Sequence, residues 1–146
     1  MDYECSEGPF TISTDPARLS IDTIHTFLSQ SAYWALDRSR ETVVRSINHS
    51  LCFGVYEEQI QVGFARVVSD YATFAYLADV FLLPSHRGRG LSKWLMRCIL
   101  AHPDLQGLRR FHLITNDAQE LYRQFAFTPL AHPDRHMERV SPRPQL

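Results

Sequence analysis

Val80-Phe81-Leu82-Leu83, then Pro84, then Arg87-Gly88-Arg89-Gly90-Leu91-Ser92, is the stretch from which this chain's fold can be worked out. The apolar run predicts a buried strand, and Pro84 ends it. Behind the Gly/Arg turn, Leu91, Trp94, Leu95, Cys98 and Ile99 recur at helical spacing, so a helix begins there. A strand, a glycine turn and a helix N-terminus together suit a phosphate group. Glycines let backbone N–H groups approach an anion with no Cβ in the way. The first N–H groups of a helix lack intrahelical partners and carry the positive end of its dipole. Arg87 and Arg89 add charge and donors.

Outward from this turn, the pattern predicts alternating elements. Upstream lie Leu51 to Tyr56, Ile60 to Val68 and Thr73 to Leu83, three β-rich runs joined by short polar turns. Such spacing predicts an antiparallel meander, with Val62, Phe64, Arg66 and Val68 on one face. Before it, Phe10-Thr11-Ile12 reads as a first strand. Asp15-Pro16 reads as the start of a helix carrying Ile21, Ile24, Phe27 and Leu28, and a second helix is expected from Ser39 to Asn48. Downstream, Phe111 to Ile114 reads as a strand. Ala118, Leu121, Tyr122 and Phe125 mark a helix, and Phe127 to Leu130 and His136 to Val140 read as closing strands. The expected order is β-α-α-β-β-β-α-β-α-β, an α/β (α+β) fold with a mixed, mostly antiparallel sheet covered by helices. Ligands in sheets with parallel pairs favour the carboxyl ends of strands.

Composition narrows the classes. With 146 residues, 45% hydrophobic and 21% charged, the chain suits one globular domain over 1–146, with a core of about 10–140 and a disordered tail at 141–146. A net charge of -1 argues against a nucleic-acid partner held by bulk charge. No apolar run is long enough for a bilayer, and the acidic start carries no signal-peptide pattern, so no membrane partner is expected. Cys5, Cys52 and Cys98 are odd in number and widely spaced, which fits reduced thiols and a cytoplasmic location better than a disulfide framework. Of the seven histidines, His132 and His136 are four apart, but Pro133 lies between them, so no metal site is expected.

Phosphate-loop motifs can be tested against the turn. The Walker pattern fails for want of Lys-Ser/Thr after its last glycine, and the dinucleotide fingerprint fails because Lys93 stands where a third glycine is needed. The match is Arg87-x-x-Gly90-x-Ser92 with the lead-in Leu82-Leu83-Pro84-Ser85-His86-Arg87-Gly88. This resembles the Gln/Arg-x-x-Gly-x-Gly/Ala signature of the GNAT superfamily of acyl-CoA-dependent N-acetyltransferases. Ala118-Gln119-Glu120-Leu121-Tyr122-Arg123-Gln124-Phe125-Ala126-Phe127 is similar to that family's Ala-x-x-Leu-Tyr-x-x-x-Gly-Phe block. The likeness extends from about Phe10 to Val140.

The resemblance implies an enzyme that transfers acetyl from acetyl-CoA to a primary amine of a small molecule or peptide, by direct attack in a ternary complex. The backbone of Arg87, Gly88, Arg89, Gly90, Leu91 and Ser92 would bind the pyrophosphate, and that of Phe81, Leu82 and Leu83 the pantetheine arm. Backbone N–H groups near Val80 and Phe81 would stabilise the oxyanion. Tyr122 would protonate the departing thiolate, since a phenol with an ordinary pKa of about 10 stays protonated at neutral pH. Asn116 is a candidate pantetheine contact, because Thr115 stands where the family often has Asn. Tyr33 and Trp34 fall where the family often places acceptor residues; simple capping of the core is the other reading. Dimerisation is common among such folds. A non-catalytic CoA-binding sensor or interaction module is the alternative reading.

Two further residues stand out. Asp79 sits inside an apolar run, where a carboxylate is costly unless paired or functional. It is either the base that takes the amine proton, or a group that points outward or pairs with Arg66 on the next strand. Ala126 replaces the family's helix-ending glycine, which would cost about 1 kcal/mol if a left-handed backbone is required there.

Overall fold

Strand β1 (Glu4–Glu7) pairs antiparallel with β2 (Phe10–Ser13) through a turn in which Gly8 takes φ 58°. The structure, a computed structural model, describes residues 2–141. Further elements follow in chain order: α1 (Ile21–Ser31), α2 (Arg40–Asn48), β3 (Leu51–Glu57), β4 (Ile60–Ser69), β5 (Phe74–Leu82), α3 (Leu91–Leu100), β6 (Arg110–Leu113) and α4 (Gln119–Arg123). The six strands form one sheet in sequence order, antiparallel throughout except for the parallel β5–β6 pair.

Helices cover both faces. On one side Ile24, Phe27 and Leu28 of α1 and Val43 and Ile47 of α2 pack on Cys52, Phe64 and Phe81, with the Phe27 and Phe81 rings stacked at 4.1 Å. On the other, Leu91, Leu95, Met96, Cys98 and Ile99 of α3 pack with Ile12, Phe53, Val55, Ala65, Val67 and Leu77. A strand buried on both faces cannot show clean alternation, which is why β4 reads as a nearly continuous apolar run.

Two bulges set which side chains face which helices. Tyr56 pairs with Gln61 and Val55 with Gly63, so Val62 is an extra residue in β4. The expected single face of Val62, Phe64, Arg66 and Val68 is therefore broken: Val62 packs toward α3 and Phe64 toward α1 and α2, while Val68 is exposed. In β5, Phe81 pairs with Phe64 and Ala78 with Arg66, which places an extra residue at Asp79–Val80. Asp79 takes φ 54°, a left-handed conformation that costs a non-glycine residue energy. This bulge lets Leu77 face α3 and Phe81 face α1.

Four expectations need correction. The helix does not begin at Asp15-Pro16. Asp15 caps a short 3-10 turn, Pro16–Arg18, and Leu19 returns to extended backbone. α1 starts after Ser20, whose Oγ accepts from the Thr23 N–H and whose own N–H donates to Gln61. The two closing strands are absent from 127–140: Pro133–Arg135 forms a 3-10 turn, and Met137 and Val140 are exposed with no sheet partner among the described residues. The observed order is β-β-α-α-β-β-β-α-β-α, because the polar Glu4-Cys5-Ser6-Glu7 forms an edge strand with no apolar signal of its own. Cys5 and Cys98 are disulfide-bonded, joining β1 to α3, and only Cys52 is free. The sequence separation of 93 residues is closed by the fold. The tail expected beyond residue 141 lies outside the described residues.

Candidate active site

The parallel pairing of β5 with β6 stops at Leu77–Leu113, while β5 continues to Leu82. Ala78 to Leu82 thus has no strand partner on the β6 side among the described residues, and the two strands part around a cleft of about 380 Å³. Tyr33, Trp34 and Arg38 from the α1–α2 loop form one wall. Tyr76 to Val80 and Arg66 form the floor, and Leu113 to Ala118 with Tyr122 form the other wall. Five of the candidate site residues singled out from sequence (Tyr33, Trp34, Asp79, Asn116 and Tyr122) meet there.

Asp79 is buried and fully engaged. Its Oδ1 accepts from Trp34 Nε1, and its Oδ2 accepts from Arg38 Nη1 and Arg66 Nε, each at 2.9 Å. Of the readings open to Asp79, the ion pair with Arg66 is present, and Arg38 joins it. Arg66 also donates to Ser50 Oγ at 3.2 Å. The indole of Trp34 is tied to this network and lies edge-on to Tyr33 at 5.0 Å. The Tyr33 hydroxyl accepts from the Asn116 backbone N–H at 3.0 Å, linking the two walls. Thr115 Oγ1 accepts from the Ala118 N–H at 3.1 Å, which helps to start α4 where Ala118 offers no side-chain cap.

Tyr122 lies on α4, buried against Phe127 with ring centroids 5.9 Å apart. Burial pushes its phenol up to about 12, with Tyr33 and Asp117 adding to the shift. The group therefore stays protonated well beyond neutral pH.

The Gly/Arg turn lies past the end of β5, outside the cleft. Pro84–His86 forms a 3-10 turn, and Arg87 Nε donates to the Leu82 carbonyl at 3.2 Å. Gly88 and Gly90 take φ 75° and 78°, and open space stands where a Cβ would go. Gly90 caps α3 with no side-chain bond, so the N–H groups of the first turn have no side-chain cap among the described residues. His86 bonds Glu57 at 2.9 Å beside the turn.

Sequence reasoning missed Arg38 and Tyr76. Arg38 sits in an irregular loop and reaches Asp79 across a separation of 41 residues, so nothing local marks it. Tyr76 looks like any strand aromatic until the cleft beside it is seen. Tyr71, at the β4–β5 hairpin tip, does not line the cleft. Among the described residues, no group of three or more His, Cys, Asp or Glu could hold a metal ion, and no helix is long and apolar enough to cross a membrane.

A profile of the Acetyltransferase (GNAT) family matches residues 21–127, and the chain belongs to that family. It is 34% identical over 139 residues to a Gibberella zeae protein provisionally named an acetyltransferase, covering 80% of this chain and 77% of that one. A crystal structure from Xanthomonas campestris pv. campestris, provisionally assigned as a GNAT acetyltransferase, is 55% identical with a TM-score of 0.90 and coverage of 94% and 96%. A Clostridium acetobutylicum structure assigned as an acetyltransferase and solved with acetyl-CoA shares the fold at 12% identity, TM-score 0.61, with 96% of each chain covered.

Proposed function

We propose that this enzyme transfers an acetyl group from acetyl-CoA to a primary amine of a small molecule or peptide, by direct attack with both partners bound. The observation that carries this reading is the parting of β5 from β6 beside Tyr122. The free edge of β5 gives an extended arm a strand to pair with, over about 13–17 Å at 3.3 Å per residue. It runs from the cleft toward Arg87, Gly88, Arg89, Gly90, Leu91 and Ser92, whose glycine backbone and uncapped helix N-terminus fit a pyrophosphate. The Clostridium acetobutylicum structure of the same fold was solved with acetyl-CoA, which supports the choice of acetyl donor. Asn116, on the facing wall, is assigned to the pantetheine arm.

Acetyl-CoA, when bound, supplies an activated carbonyl and a thiolate leaving group. Backbone N–H groups near Val80 and Phe81, at the end of the Asp79–Val80 bulge, would hold the carbonyl oxygen as negative charge grows on it. Tyr33 and Trp34 hold the amine against that carbonyl, so that much of the rate comes from positioning. As the N–C bond forms and the C–S bond breaks, Tyr122 would give its proton to sulfur and regain one from water, while the proton lost by nitrogen would leave to water. We assign Asp79 the role of positioning residue, because all its strong interactions are with Arg38, Arg66 and Trp34. A thermal unfolding measurement tests the reading. Acetyl-CoA at about 100 times its dissociation constant should stabilise the fold by roughly 2.7 kcal/mol, with no shift for ATP. No shift with acetyl-CoA overturns it.

A further inference from the structure

The charges on the cleft floor do not balance. Two guanidiniums, Arg38 and Arg66, face one carboxylate, Asp79, and their side chains are only 18%, 15% and 2% exposed. The other carboxylate lining the cleft, Asp117, is exposed at its rim and forms no ion pair with either arginine. The free thiol nearest the cluster, Cys52, is pushed up to about 12 by burial and stays neutral. One positive charge is therefore left over on a mostly covered cleft floor, with no counter-charge among the described residues. Donors are left over as well. Each guanidinium presents five N–H groups in a planar fork. Asp79 and Ser50 engage only Nη1 of Arg38 and Nε and Nη1 of Arg66. Nε and Nη2 of Arg38 and Nη2 of Arg66 have no protein hydrogen bond among the described residues.

We propose that the acceptor is a small amine that also carries a carboxylate, bound by the spare donors of Arg38 and Arg66. Its class is then amino acids and short peptides with a free carboxyl end. This rests on the acetyl-transfer reading above and names the substrate class for the same cleft. Arginine suits the task because its fork matches the two oxygens of a carboxylate, and such charge-assisted bonds are among the strongest in proteins. Polyamines, which bring a second positive charge, are repelled from the same floor.

The test compares the twenty amino acids and a set of dipeptides with their carboxamides, which keep size and amine but lose the negative charge. Release of free CoA thiol is followed with wild-type protein, and spermidine is included. The expected result is at least one acid acetylated with kcat/KM about 10-fold or more above its amide, the range for a charged hydrogen bond. Arg38→Gln should raise KM for that acid more than for its amide, so that the acid–amide ratio shrinks, and Arg38→Lys should keep part of the preference. Thermal midpoints of both variants check folding, and the wild-type acid–amide comparison stands without them. The proposal is overturned if amides or spermidine match the best acid, or if no carboxylate-bearing amine turns over while acetyl-CoA still raises the midpoint. A protein whose midpoint does not respond to acetyl-CoA fails at the earlier reading, and the acceptor class falls with it.

Discussion

Tyr122 and Asp79 occupy one cleft, and their surroundings give them opposite tasks. Tyr122 is kept neutral by burial and has little bonding of its own to hold it back from a ligand. Asp79 is held by two arginines and an indole N–H, which between them engage both of its oxygens. Tyr122→Phe removes the proton and keeps the ring. It should lower kcat by about 10²-fold or more, the usual worth of a placed acid, with little change in acetyl-CoA affinity measured by calorimetry. A drop in affinity equal to the drop in kcat would instead mark Tyr122 as a packing residue. The phenol also links folding to pH. Its value rises from an ordinary 10.0 to about 12 in the folded protein, so its stabilising effect is complete below pH 10 and is lost as pH climbs toward 12. Tyr122→Phe should therefore lose stability less steeply than wild type in alkaline denaturation.

At the level of elements, α4 and its end show how a local rule can be broken and still tolerated. The Ala126 N–H donates to the Arg123 carbonyl and the Phe127 N–H to that of Tyr122, which closes the helix with Ala126 at φ 69°. This is the left-handed turn that sequence reasoning anticipated for a glycine, occupied by alanine. Ala126→Gly relieves the strain and should stabilise the protein by roughly 1 kcal/mol, read from urea midpoints at constant slope. A loss of stability would mean that the alanine methyl packs more than it strains. The elements that sequence reasoning found most easily, α2, α3 and the β3–β5 meander, combine a cap or glycine with a regular apolar spacing. The elements it lost lack one of these. β1 has no apolar face, α1 has two competing caps in Asp15 and Ser20, and His136 to Val140 has strand composition without a neighbour to pair with.

For the whole molecule, the fold class and the Gly/Arg turn before α3 were legible because they rest on short-range chemistry: glycines at fixed offsets, a proline stop and an amphipathic stripe. The floor of the cleft was not legible. Arg38 and Asp79 meet only because a bulge turns β5, and a bulge is a one-residue register change that composition does not report. The Cys5–Cys98 bond was missed for the same reason, since 93 residues separate two cysteines that only the finished sheet brings together. The bond ties edge strand β1 to α3, the helix whose first turn is assigned to the cofactor phosphates. Closing a loop of this length restricts the unfolded chain strongly, so reduction should cost about 2–4 kcal/mol. For a domain of this size that is a fall of roughly 4–16 °C in Tm. The measurement is a pair of thermal scans with and without reductant, beside Cys5→Ser. Wild type should fall to the level of the variant on reduction, and the variant should not respond to reductant at all. Equal midpoints for oxidised wild type and Cys5→Ser would show that the sheet and α3 hold β1 in place without the covalent link.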